Sequence, residues 1–156
     1  MASIPQFRMF YKDDLAELEQ MILGLYQEDP PGEEMSFEKI RRTVEELLSY
    51  PEKGIINIFR VDDDIVGYAI VIYYWSNEYG GNIASIDEFY VKPLWRGKRI
   101  GTSFLERIAI DNANNLKGIQ LEVTPANHKA FAYYSRNGFS PKANRHLFRK
   151  LLRGRV

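Results

Sequence analysis

The sequence predicts an α/β fold of the α+β kind, in which one mixed sheet joins an antiparallel hairpin to a parallel β-α-β crossover and is flanked by about four helices. Three observations carry this. Apolar residues recur at spacings of three and four in the first third of the chain, change to β-branched and aromatic runs from Ile55, and alternate between the two textures thereafter. The 156 residues are the length of one ordinary domain, so residues 1–156 read as a single unit. With 45% hydrophobic and 13% aromatic residues, the chain can bury a sizeable core and is not a disordered sequence.

Leu15, Leu18, Ile22, Leu25 and Tyr26 define a first helix from Asp13 or Asp14 to about Gln27, with an acidic residue placed to cap its start. The segment Glu28-Asp29-Pro30-Pro31-Gly32-Glu33-Glu34 cannot continue a helix and reads as an acidic loop. Ser36 opens a second helix through Lys39, Ile40, Val44, Leu47 and Leu48, which Tyr50-Pro51 ends. Ile55 to Val61 and Ile65 to Trp75 form a hairpin around Asp62-Asp63-Asp64. A third extended run, Ile83 to Val91, stops before Pro93, and Ile100, Phe104, Leu105, Ile108 and Ala109 then share one face of a third helix. A short strand over Ile119 to Val123 completes the β-α-β unit. Asn127 to Arg136 is a fourth helix closed by Asn137-Gly138, and Phe139 onward reads as a final strand or pair.

Composition removes several chemistries. Twenty-one basic residues balance twenty-one acidic ones, so no global field draws the chain to nucleic acid or to an anionic membrane. There is no cysteine, hence no thiolate nucleophile and no thiolate metal site, and His128 and His146 form no ligand pattern, so no metal is expected. The N-terminus MASIPQFRMF lacks the layout of a signal peptide. The longest apolar stretch has 11 residues, against about 20 for a membrane helix, so a cytoplasmic protein without a membrane partner is expected. Arg145, Arg149, Lys150, Arg153 and Arg155 make a basic tail that reads as solvated rather than as a nucleic-acid footprint.

The richest segment is Val91-Lys92-Pro93-Leu94-Trp95-Arg96-Gly97-Lys98-Arg99-Ile100-Gly101-Thr102. A strand running into a loop with glycines and then a helix aims unpaired N–H groups at one point, where the helix dipole also favours an anion. Neither G-x-x-x-x-G-K-[ST] nor G-x-G-x-x-G is present, which removes the best-known nucleotide loops.

Val91-x-Pro93-x-x-Arg96-Gly97-Lys98-x-Ile100-Gly101-Thr102-x-x-Leu105, followed by Asn127-x-x-Ala130-x-x-x-Tyr134-x-x-x-Gly138-Phe139, resembles the two motifs of the GNAT superfamily, the Gcn5-related N-acetyltransferases. The aromatic stretch Tyr73-Tyr74-Trp75 and the Asn127-to-Tyr134 spacing look closest to its diamine acetyltransferase branch. The resemblance implies a mostly antiparallel twisted sheet with a parallel splayed pair, acetyl-CoA as co-substrate, and a homodimer. It assigns backbone groups of Phe89, Tyr90 and Val91 to the pantetheine arm, with the Val91 N–H polarising the thioester carbonyl. The pyrophosphate falls to Arg96, Gly97, Lys98, Arg99, Ile100, Gly101 and Thr102, and Asn127 also serves the cofactor. One position departs from the family pattern, because Arg99 stands where glycine is usual; it restricts the backbone but adds a guanidinium near the expected phosphates.

An amine acceptor is protonated at neutral pH and must lose a proton before it attacks. Strand alternation puts Ile86, Glu88 and Tyr90 on one face and Asp87, Phe89 and Val91 on the other. One carboxylate therefore faces the cleft, and Glu88 is favoured over Asp87 as base, acting directly or through water. By resemblance Tyr134 donates a proton to the leaving sulfur, uphill by about 1.5 pKa units at ordinary phenol and thiol values. Glu28, Asp29, Glu33 and Glu34 would draw a cationic acceptor, whether a small molecule or a peptide amine. A non-catalytic acyl-CoA-binding module and a nucleic-acid-binding protein are the competing classes.

Overall fold

In a computed structural model, residues 3–110 and 115–152 are described. Five strands form one sheet in the order β1-β2-β3-β4-β5: β1 (Gln6–Met9), β2 (Gly54–Val61), β3 (Asp64–Ser76), β4 (Gly81–Val91) and β5 (Leu116–Leu121). The first four are antiparallel and the last pair, β4 with β5, is parallel. Four helices flank the sheet: α1 (Leu15–Glu28), α2 (Phe37–Ser49), α3 (Ile100–Ile110) and α4 (His128–Arg136). None of these helices is long and apolar enough to cross a membrane.

The elements begin and end where local chemistry dictates. Ser36 caps α2 by accepting from the Lys39 N–H at 3.2 Å, and the helix stops before Pro51. Asp62 takes φ +52° in the tight turn between β2 and β3. β3 is the central strand, buried on both faces from Val66 to Val71, which is why its sequence is an unbroken apolar run. On one face α1 and α2 pack Leu18, Met21, Ile22, Ile40 and Val44 against Ile58, Tyr68 and Ile70. On the other, α3 contributes Phe104 and Leu105 against Phe59, Ala69, Val71 and Ala84, with the Phe59 and Phe104 rings 4.5 Å apart.

Three sequence expectations are corrected. The strand β1 is an element the sequence reading does not contain: Gln6-Phe7-Arg8-Met9 alternates polar and apolar residues, but over four positions only, too short a run to stand out from its surroundings. Asp14 does not cap α1: its carboxylate accepts from Arg8 at 2.7 and 2.9 Å and from the Tyr11 N–H at 2.8 Å, tying β1 to α1. Residues 139–152 form no strand in the described structure.

Candidate active site

β4 pairs with β5 only from Asn82–Leu116 to Ile86–Leu121, whereas its pairing with β3 continues to Val91–Gly67. From Asp87 onward β4 has therefore lost one neighbour, and a slot opens between the two parallel strands. A register shift opposite Ile70 and Val71 leaves Asp87 as an extra residue on β4. This bulge corrects the expected facing: Ile86 packs with Phe89 and Val91 in the α3 core, while Tyr90 belongs to the α1–α2 core.

Hydrogen-bonding direction alternates along a strand. The Lys92 N–H donates to the Val66 carbonyl at 2.8 Å, so the backbone groups of Tyr90 also face β3 and those of Phe89 and Val91 face the slot. The Val91 carbonyl accordingly accepts from Arg96 Nε at 2.7 Å. Of the three residues expected to line the slot with backbone, Phe89 and Val91 have that orientation and Tyr90 is turned away.

Beyond β4 the chain makes a single turn over Pro93–Trp95 and enters α3 through Arg96, Gly97, Lys98 and Arg99. Gly97 has φ +75° and Arg99 φ +62°, so left-handed residues flank Lys98 and turn successive amides the same way. Among the described residues the N–H groups of residues 97–102 donate to no partner. This row of free donors at the N-terminus of α3, with Lys98 and Arg99 beside it, is suited to an anion. Arg99 occupies a backbone region that disfavours side chains, and its guanidinium rests on Glu106 at 3.3 Å, exposed and able to swing. Gly101 is required by packing: a Cβ there would lie 2.9 Å from the Phe89 ring and 2.9 Å from the Tyr133 hydroxyl. Thr102 Oγ1 lies 3.1 Å from the same hydroxyl, joining α3 to α4.

Glu88 points to the opposite side of β4, where it is 9% exposed. Its carboxylate accepts from the Tyr26 hydroxyl at 2.7 Å and the Tyr68 hydroxyl at 2.9 Å. Burial raises its pKa above the ordinary glutamate value, and the two phenols and nearby Asp87 modify that shift, the phenols downward and Asp87 upward. A cavity of about 30 Å³, lined among others by Asp87, Glu88, Thr43 and Ile40, has room for one water. Asp87 stands at the rim, its carboxyl raised by desolvation and by the charge of Glu122 just beyond β5. Among the described residues no group of three His, Asp or Glu side chains could hold a metal ion.

Tyr134 packs between Phe89, Tyr133 and Phe139, at ring separations of 6.2, 5.3 and 5.6 Å. Burial pushes the pKa of its hydroxyl upward, with a smaller push from Tyr133 and no hydrogen bond opposing it, which keeps the phenol protonated. The gap to a thiol is thereby wider than ordinary values suggest. Asn127 caps α4, accepting from the Ala130 N–H at 3.1 Å, and its amide donates to Asp29 at 3.1 Å.

The acidic loop is engaged internally. Glu28 takes both carboxylate oxygens to Arg96 at 2.8 and 2.9 Å, Asp29 accepts from Thr124 at 2.9 Å, and Glu33 pairs with Lys150 at 2.8 Å. The remaining carboxylates near β4 act on one another: Asp87 feels the charge of Glu122, which pairs with His146 at 3.1 Å, and Glu88 feels that of Asp87. Sequence reading missed Tyr26 and Tyr68 as partners of Glu88, since they stand 62 and 20 residues away along the chain.

A sequence profile described as the acetyltransferase (GNAT) family matches residues 16–139. No curated protein sequence matches. Among solved structures, a protein from Clostridium difficile 630 titled a possible acetyltransferase is 24% identical, with 96% of this chain and 99% of that one covered and a TM-score of 0.82. An integron cassette protein from the mobile metagenome of Cole Harbour Salt Marsh is 26% identical over 94% of this chain and 91% of its own, with a TM-score of 0.78. An aminoglycoside N-acetyltransferase solved in complex with CoA is 16% identical over 96% and 97%, also with a TM-score of 0.78.

Proposed function

Because the chain belongs to the acetyltransferase (GNAT) family, we propose that it is an N-acetyltransferase that uses acetyl-CoA as co-substrate and acetylates a primary amine by direct attack in a ternary complex. The observation that carries this reading is the slot left where β5 parts from β4 after Ile86, beside a row of partnerless amides at the start of α3. When bound, acetyl-CoA supplies a thioester carbonyl as electrophile and a thiol as leaving group.

The amides of residues 97–102 bind the pyrophosphate, and Lys98 and Arg99 add charge that neutralises it. The slot-facing backbone of Phe89 and Val91 binds the arm, with the Val91 N–H aimed where negative charge develops on the carbonyl oxygen. Glu88 takes the amine's proton through the small cavity at its side, a task that its raised pKa suits. Tyr134 Oη retains its proton until a sulfur anion departs nearby. Asn127 fixes the start of α4 and thereby the position of Tyr134. The acidic pair Asp87 and Glu122 at the mouth favours a cationic acceptor.

With no cysteine in the chain, an acetyl-thioester on the enzyme cannot form, so initial-rate lines should intersect rather than run parallel. The test is calorimetric titration with acetyl-CoA, followed by thiol release on a panel of polyamines, amino acids, aminoglycosides and peptides. Binding and turnover on at least one cationic amine are expected. Binding without turnover on any of them identifies an acyl-CoA-binding module, and no binding removes the proposal.

A further inference from the structure

Glycine is a poor residue for the interior of a helix, yet Gly24 stands within α1. A Cβ there would lie 2.8 Å from the Tyr90 hydroxyl and 3.3 Å from the ring carbon that bears it, so glycine is what lets this turn of α1 come so close to β4. Two residues on, Tyr26 reaches across and donates to Glu88 Oε2 at 2.7 Å, while Tyr68 from β3 donates to Oε1 at 2.9 Å. Each carboxylate oxygen is thus engaged by one phenol. That fixes the plane of the group and leaves a lone pair on each oxygen to receive a proton.

The two phenols are not equivalent. Tyr68 is wholly buried in the central strand, and its hydroxyl must find an acceptor there whatever the protein does. Tyr26 is half-buried near the end of α1, where water can serve a hydroxyl almost as well. It is the buried carboxylate that needs this contact. The titratable groups that face Glu88 are Tyr26 from α1, Tyr68 from β3 with Tyr90 behind it, and Asp87 on β4 itself; Asp87 favours the protonated form and the two phenols favour the charged one. Helix α2 lines the same cavity with Ile40, Thr43 and Val44, none of which titrates.

We infer that Tyr26 is a positioning residue, holding the Glu88 carboxylate charged and in one orientation from the end of α1. The inference rests on Glu88 being the base of the proposed reaction. Glu28 and Asp29, on the same end of α1, hold Arg96 and the start of α4, so the base and both walls of the slot share one support.

Tyr26→Phe keeps the ring and removes the hydroxyl. Carbon-13 NMR of the full-length chain labelled at its glutamate carboxyls, with the Glu88 signal identified by its loss in Glu88→Gln, reads the titration directly and needs no acceptor. The midpoint is expected to rise by about one pH unit in Tyr26→Phe, because a hydrogen bond to the charged form is lost. With acetyl-CoA and the best amine of the panel, the acid limb of kcat/KM is expected to move up with it, a loss of about tenfold on that limb. A merely structural disturbance lowers the rate equally at every pH. An unmoved midpoint overturns the inference while leaving Glu88 as the base, and so does a moved midpoint with an unmoved limb where Glu88→Gln is inactive. If Glu88→Gln turns over like the wild type, Glu88 is not the base and the positioning role of Tyr26 falls with it.

Discussion

Glu88 holds a carboxylate where water scarcely reaches, and two phenols are what make that tolerable. Because burial raises its pKa, its contribution to stability is present below the ordinary glutamate value and is lost as pH rises through the raised one. At neutral pH the charge is thus a cost to folding, and under the proposed function it is the form that takes up a proton. Glu88→Gln keeps acceptor and donor atoms between the phenols, so it is expected to lower kcat by roughly 10²–10⁴-fold while leaving Tm unchanged or higher; thermal unfolding beside single-turnover rates checks both halves. Tyr134→Phe removes one hydroxyl from a packed ring, so acetyl-CoA affinity should hold while turnover at saturating substrate falls. An unchanged turnover takes Tyr134 out of the mechanism. Arg99 offers a different balance. Its left-handed backbone costs about 1–2 kcal/mol for a residue with a side chain, and glycine returns about 0.4–1 kcal/mol of that through the freer unfolded chain. Arg99→Gly should therefore gain no more than about 1.6 kcal/mol of stability and lose acetyl-CoA affinity at low salt, with the difference shrinking at high salt. Equal affinities in both conditions remove Arg99 from the phosphate site.

At the scale of elements, the link between β1 and α1 rests on one buried charge. Asp14 is 6% exposed and its pKa is lowered, first by the hydrogen bonds from Arg8, against the opposing effect of burial. Its stabilisation is therefore present above the ordinary aspartate value near pH 3.9 and disappears as pH falls through the lower folded value. Asp14→Ala takes the carboxylate from the Tyr11 N–H and from Arg8, which keeps only the Met9 carbonyl at 3.0 Å, and should cost about 2–3 kcal/mol at neutral pH, measured by urea unfolding, with the loss vanishing in acid. The same elements show what could be read in advance. Helices α1 to α4 and the hairpin were legible because each is specified by neighbours along the chain, as with Ser36 capping α2. The slot-bearing segment was legible through Arg96, Gly97 and Gly101, whose spacing a tight strand-to-helix turn demands. The facing of Ile86 was not, since the bulge at Asp87 depends on the partner strand, and strict alternation has no knowledge of it. Nor was the fate of the acidic loop, where Glu28 and Asp29 find their partners only after the sheet has formed.

Across the whole molecule, those two residues span the slot. Glu28, the last residue of α1, grips Arg96 on the β4 side, and the adjacent Asp29 grips Thr124 and Asn127 on the β5 side. The end of one helix thus sets the separation of two strands that no longer hydrogen-bond to each other. Asp29→Ala should let the β5–α4 connection drift, carrying α4 and Tyr134 with it, and weaken acetyl-CoA binding several-fold. Thr124→Val should do the same less severely. If the two act through the single contact at 2.9 Å, the double variant should bind no worse than Asp29→Ala alone. Calorimetric affinities of the four proteins close this cycle, and strictly additive losses would show that Asp29 and Thr124 act on the slot separately rather than as one strap.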